Sequence, residues 1–279
     1  MKHREFNFEG AASVPLFAQA WLPEIAPSAV IVIAHGLGEH SSRYRELAGR
    51  LVGDGRAVYA IDHRGHGRSG GPRANIERFA YVVSDFCTFA GRASRQHLDT
   101  PLFLFGHSMG GAIAFASAAR LQDTVSGLVL SGPALAAGEA VPSFKLAMAR
   151  LLSLVTPNVG ALKLPAAAVS RDPAVVRAYE DDPLVMHESI PARTLVELLQ
   201  AMATFPAMAK LLRLPVLIQH GTADSLVPLA AARDVHQAIG SKDRTFRPYE
   251  GLYHEIYNEP EREQVTADLL GWLAMHAAR

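Results

Sequence analysis

The 279-residue sequence predicts an α/β fold: a mostly parallel central sheet with helices on both faces and an inserted helical cap. Three observations predict it. Short apolar, β-branched runs recur along the chain, and helix-period stretches separate them, as in strands joined by crossover helices. Several runs are apolar almost throughout, which fits parallel strands covered on both faces. One stretch, 134–213, breaks the alternation with helical pattern cut repeatedly by proline, from Pro142 to Pro206.

Taken in order, the first two runs, 4–9 and 17–22, lie too close together for a helix between them and predict an antiparallel edge. Further strands are expected at 30–34, 57–61, 102–105, 127–130, 216–219 and 245–249, each closed by a Gly-rich or polar turn. Between them Tyr44, Leu47 and Leu51, then Phe79, Val82, Phe86 and Phe89, fall at helical steps of three or four. Val265, Leu269, Trp272 and Leu273 repeat the pattern behind Pro260-Glu261, a helix-start signature. The predicted core therefore comprises 1–133 and 214–279, and the cap 134–213, in which no strand is expected.

Lysine plus arginine and aspartate plus glutamate balance at 27 each, which argues against a nucleic-acid partner. The single cysteine, Cys87, allows no intramolecular disulfide and is expected to be a small buried hydrophobe in the helix beside Phe86. The first residues lack an apolar signal region and no apolar stretch is long enough to span a bilayer, so a cytoplasmic setting is expected.

The chemistry begins at Gly106-His107-Ser108-Met109-Gly110, a G-x-S-x-G between an apolar strand and the Ala-rich helical run 112–119. A nucleophilic serine on a tight strand-to-helix turn needs small residues two before and two after it. The helix N-terminus beneath Ser108 offers N–H groups and positive dipole where an oxyanion would form. A neutral hydroxyl also needs a base, itself oriented by a carboxylate. His254 is the candidate base, because it sits in the loop between the last strand and the last helix and can reach over the sheet's carboxyl edge. The other downstream histidines are His187 in the cap, His220 ending the 216–219 strand directly before the Gly-Thr-Ala-Asp turn, His236 in a helix, and His276 at a frayed C-terminus. Asp224, in a Gly-Thr-Ala-Asp turn after the preceding strand, is the candidate acid. Turn formation or helix capping is its alternative reading. His107, beside the nucleophile, is expected to pack rather than act as base. The backbone N–H groups of Leu37 and Met109 are the expected oxyanion donors, by position after their strands.

Three stretches carry a resemblance: residues 35–44, His-Gly-Leu-Gly-Glu-His-Ser-Ser-Arg-Tyr; residues 62–69, Asp-His-Arg-Gly-His-Gly-Arg-Ser; and residues 106–111, Gly-His-Ser-Met-Gly-Gly. The chain resembles the monoacylglycerol lipases and related lysophospholipases of the α/β-hydrolase fold over nearly its whole length. Its 251–255 segment, Gly-Leu-Tyr-His-Glu, looks closer to the bacterial members. The resemblance implies a serine esterase that releases fatty acid from a monoacylglycerol through an acyl-enzyme on Ser108. It also implies that Glu39 and Arg43 lie near the glycerol hydroxyls; an ordinary i,i+4 ion pair is the alternative. Where mammalian members carry a second histidine, this chain has Tyr257, which can still hydrogen-bond a hydroxyl.

The expected substrate is a monoacylglycerol or similar single-chain lipid ester, with no cofactor. Val141, Phe144, Met148, Leu151 and Val155 form one helical stripe while Leu146, Leu152 and Leu154 occupy other faces. That helix would either line an acyl tunnel or dock transiently on a membrane or micelle. A lysophospholipase, a broad carboxylesterase and a peptidase are alternatives on the same triad, since a fold does not fix a substrate. A non-catalytic lipid-binding member of the fold is the alternative outside enzymes. A metal hydrolase is disfavoured, because Arg64 and Arg68 flank the His63-Arg64-Gly65-His66 cluster and would repel a cation.

Overall fold

A computed structural model describes residues 1–136, 153, 156 and 159–277. The apolar runs form the strands β1 (Lys2–Glu9), β2 (Pro15–Leu22), β3 (Ala29–Ala34), β4 (Arg56–Ile61), β5 (Leu102–His107) and β6 (Gly127–Ser131). After residues 134–213 come β9 (Val216–Gly221) and β10 (Arg244–Tyr249). These eight make one sheet in the order β1-β2-β4-β3-β5-β6-β9-β10. β1 and β2 form the antiparallel edge, with Phe6 opposite Ala18, and β2 also runs antiparallel to β4. From β4 to β10 all pairings are parallel.

The strict alternation of side chains across a strand divides the interior into two cores. Val30 and Val32 of β3 face one cluster, together with α2 (Phe79–Arg95) and α3 (Met109–Leu121). Ile31 and Ile33 face the other, with α1 (Arg45–Gly53) and the C-terminal helix at Arg262–Ala277. Both faces being covered explains why these strands read as unbroken apolar runs. Cys87 is half-buried at the margin of the first core rather than fully buried.

The insertion differs from expectation in one respect. Within 134–213, a short antiparallel pair, β7 (Gly160–Leu162) with β8 (Ile190–Pro191), joins the helices. Segments of three and two residues are too short to show a period of two. The helix α4 (Pro173–Glu180) starts where Asp172 accepts the Ala174 N–H at 2.8 Å, with proline in its first turn. The next helix, α5 (Ala192–Ala209), runs through Pro206 near its end. It is more than a roof, because Leu198, Phe205 and Ala209 enter the first core, where Phe205 packs edge-on against Phe115 at 5.2 Å. Glu197 accepts the Phe79 N–H at 2.9 Å and so caps α2. The apolar stripe from Val141 to Val155 lies outside the described residues.

Candidate active site

Ser108 stands where β5 turns into α3, with φ 54° and ψ −120°. Left-handed backbone at a non-glycine residue costs about 1–3 kcal/mol and persists only where neighbours hold it. Here the Ser108 N–H donates to the Ser131 carbonyl at 3.0 Å and the Gly111 N–H to the Ser108 carbonyl at 2.9 Å. A Cβ on Gly106 would overlap the Gly110 carbonyl, and one on Gly110 would overlap the Ala34 carbonyl. The small residues around the turn are therefore required by packing.

His254 follows β10, and its Nδ1 lies 2.6 Å from Asp224 Oδ2. An ionised carboxylate only accepts, so Nδ1 carries the proton and Nε2 keeps its lone pair. Asp224 Oδ1 accepts the Leu226 and Val227 N–H groups, each at 2.9 Å. The aspartate thus shapes its turn and partners His254 at once. Burial pushes its carboxyl up, but hydrogen bonds from His220 and His254 outweigh that and hold it well below the usual carboxylate range. The His254 ring packs 4.6 Å from the His107 ring. His107 Nδ1 lies 3.0 Å from the Ser131 carbonyl. Burial, and then His254, bring the His107 imidazole down to about 4, so it packs as a neutral ring.

Ser108 and His254 line a cavity of about 340 Å³, as do Leu37 and Met109. Its walls are largely apolar, with Leu164, Leu195, Leu199 and Met202 from the insertion and Val227 from the loop after β9. The loop carrying Leu37 is braced from below. The Gly36 N–H donates to Glu39 Oε1 at 2.6 Å, and the His63 N–H donates to His35 Nε2 at 2.9 Å. Asp62 accepts the Ser41 N–H and the Arg68 N–H, both at 2.8 Å, tying residues 62–69 to residues 35–44. Residues between β6 and β9 reach this loop too: the Met186 N–H donates to the Gly38 carbonyl at 2.7 Å, and His40 Nε2 lies 2.8 Å from Asp182 Oδ2.

At its polar end the cavity meets Glu39, Glu255 and Tyr179. Arg43 is not among the lining residues. Its guanidinium donates to Glu39 at 3.0 Å and to both oxygens of Glu255 at 2.5 and 2.9 Å, and lies 4.8 Å over the Tyr179 ring. Arg43 thus stands behind the two carboxylates on the cavity wall, and with them it borders a smaller adjoining pocket. Burial raises Glu39, but Arg43, the neighbouring His107 and His35 rings and the Tyr44 hydroxyl together outweigh it and bring the carboxyl down to about 2. Burial, followed by Glu39, raises Tyr179 to about 12. Tyr257 borders the smaller adjoining pocket with Arg43; its hydroxyl donates to Gln219 Oε1 and its ring packs on Phe105 at 5.5 Å. His276 is not frayed: it is buried, stacked on Trp272, with Nε2 3.1 Å from Asp243.

The profile of the family described as serine aminopeptidase, S33, matches residues 25–261. The chain belongs to that family. Among its relatives, the monoacylglycerol lipase of Mycolicibacterium smegmatis is 42% identical over 275 residues, spanning 98% of this chain and 97% of the relative. The human monoglyceride lipase is 35% identical over 266 residues, spanning 94% of this chain and 88% of the relative. The crystal structure of Paleococcus ferrophilus monoacylglycerol lipase superposes with a TM-score of 0.81 at 32% identity, covering 99% of this chain and 100% of that one. The protein is thus a serine hydrolase of the α/β-hydrolase fold, similar to monoacylglycerol lipases.

Sequence reasoning gave no role to Glu255 or Tyr179, and it placed His220 at a strand end without assigning it one. Glu255 directly follows the candidate base, and no local signal pairs it with Arg43, 212 residues away. Tyr179 carries no local signal at all. Among the described residues, no group of three or more His, Cys, Asp or Glu side chains could hold a metal ion, and no helix is long and apolar enough to cross a membrane.

Proposed function

We propose that the protein hydrolyses monoacylglycerols to fatty acid and glycerol, with Ser108 as nucleophile, His254 as base and Asp224 as its orienting acid. One observation carries the reading: an apolar cavity holds Ser108 and His254 on its wall and ends in the carboxylates Glu39 and Glu255. An acyl chain suits the walls, and a neutral polyol can donate hydroxyl hydrogen bonds to the carboxylates. Ser108 Oγ attacks the acyl carbonyl while His254 Nε2 takes its proton. The N–H groups of Leu37 and Met109 stabilise the developing oxyanion, each contributing roughly 3–4 kcal/mol in such sites. His254 then protonates the departing glycerol oxygen, and water repeats the sequence on the acyl-enzyme.

In this reading residues 134–213 act as the cap, closing the acyl site and touching a membrane or micelle transiently. Exposed Val159 and Leu162, the latter also on the cavity wall, support such contact. A cytoplasmic setting accords with the lone cysteine. The family description raises peptide hydrolysis as a second reading, in which the carboxylates would bind a substrate ammonium. Their pairing with Arg43 weighs against that. A rate comparison across monoacylglycerols of increasing chain length, with lysophosphatidylcholine and a dipeptide amide alongside, separates the readings. Faster turnover of either control than of every monoacylglycerol overturns the proposal.

A further inference from the structure

Behind the candidate acid, the structure carries a second histidine that the triad chemistry does not use. His220 is the penultimate residue of β9, fully buried, with its Nε2 3.0 Å from the Val227 carbonyl oxygen and 3.2 Å from Asp224 Oδ2. Both neighbours are acceptors, so Nε2 carries a proton aimed between them. Nδ1 of the same ring is buried with no hydrogen-bond partner among the described residues, so the ring's one polar engagement is this one. The contacts close a circle. His220 holds the Val227 carbonyl, the Val227 N–H holds Asp224 Oδ1 at 2.9 Å, and Asp224 Oδ2 receives His254 at 2.6 Å beside His220. Val227 also lines the cavity, so the circle links the acid's orientation to the acyl-site wall.

We propose that His220 is a positioning residue for the acid: its Nε2–H fixes the 224–227 turn and the Asp224 carboxylate so that Oδ2 stays aimed at His254. The proposal rests on the triad reading above. A carboxylate held by two backbone N–H groups on one oxygen can still pivot at the other. A second donor at Oδ2, from a rigid strand end, removes that freedom. The donor is what matters, so an amide nitrogen at the same distance along the side chain should replace it. Glutamine supplies one, asparagine ends one bond short, and leucine has none.

The test measures kcat and KM on p-nitrophenyl butyrate, and melting temperature, for His220→Gln, His220→Asn and His220→Leu. His220→Leu and His220→Asn are expected to lower kcat by about 10- to 100-fold, the weight of a hydrogen bond to a charged group, with KM within about twofold. His220→Gln is expected to recover kcat to within about threefold of the parent. If His220→Leu does not fold, the glutamine and asparagine variants decide by themselves. The proposal fails if all folded variants keep kcat within about twofold, or if glutamine falls as far as asparagine. Asp224→Asn is measured in parallel. An unchanged rate there sinks the triad reading, whereas a loss of about 10⁴-fold with unaffected His220 variants sinks this inference alone.

Discussion

Replacing Arg43 by methionine is the sharpest test of the polar end of the site. Arg43 is about one-tenth exposed and is the cation shared by two carboxylates, Glu39 and Glu255, whose side chains are about as buried. Removing the cation leaves two buried charges within reach of each other. Losing one partner of a buried pair costs about 3–5 kcal/mol, far more than a surface ion pair. For a chain of this size that is expected to lower the melting temperature by roughly 6–15 °C at neutral pH. The loss should shrink as pH falls toward 4.5, because carboxylates without a cation take up protons readily. Replacing all three charges at once, with Arg43→Met, Glu39→Gln and Glu255→Gln, should restore most of the stability. Differential scanning fluorimetry across pH, with KM measured on the same variants, checks it. A melting temperature within about 2 °C of the parent, coupled to a raised KM alone, would return Arg43 to the substrate and refute the structural role.

Further outcomes are expected. Ser108→Gly should abolish labelling by a fluorophosphonate probe and, by relieving the left-handed backbone, raise stability by about 1 kcal/mol; an unchanged or lower melting temperature contradicts the strain argument. Met202→Trp should obstruct the cavity wall and cut kcat/KM at least about tenfold for long-chain esters while sparing acetate esters; equal effects on both place the acyl chain elsewhere. Stability should decline in two stages on acidification. His66 and His107 are held neutral by burial, down to about 3 and about 4 against an ordinary 6.5. Their contribution is complete above pH 6.5 and is lost as pH falls toward those values. Glu39 adds a second loss between its ordinary 4.5 and about 2. Urea midpoints measured at pH 8, 5 and 3.5 read both stages, and a flat profile contradicts them.

Much of the fold was legible because its signals are local. Apolar runs such as 30–34 announce strands covered on both sides, and their bounds in the structure lie within two residues of those expected. The helices betray themselves by steps of three and four. The elbow around Ser108 is legible for the same reason: a left-handed turn between strand and helix admits only small residues at Gly106 and Gly110. The two-residue strand at Ile190–Pro191 left no period to read, and the helix through Pro206 continues because its final turn packs into the core.

By itself, then, the sequence determined the layered α/β architecture, the nucleophile's turn and the order in which serine, aspartate and histidine follow one another. These depend on backbone preferences and side-chain periods that a few neighbouring residues specify. Only the tertiary structure decided that Arg43 is held by Glu255, 212 residues away, that Tyr257 turns to Gln219 rather than to the cavity, and that His220 stands behind Asp224. Such pairings arise when strand ends and loops converge at one edge of the sheet. Burial then obliges each polar group to find a partner nearby in space, however far along the chain that partner lies.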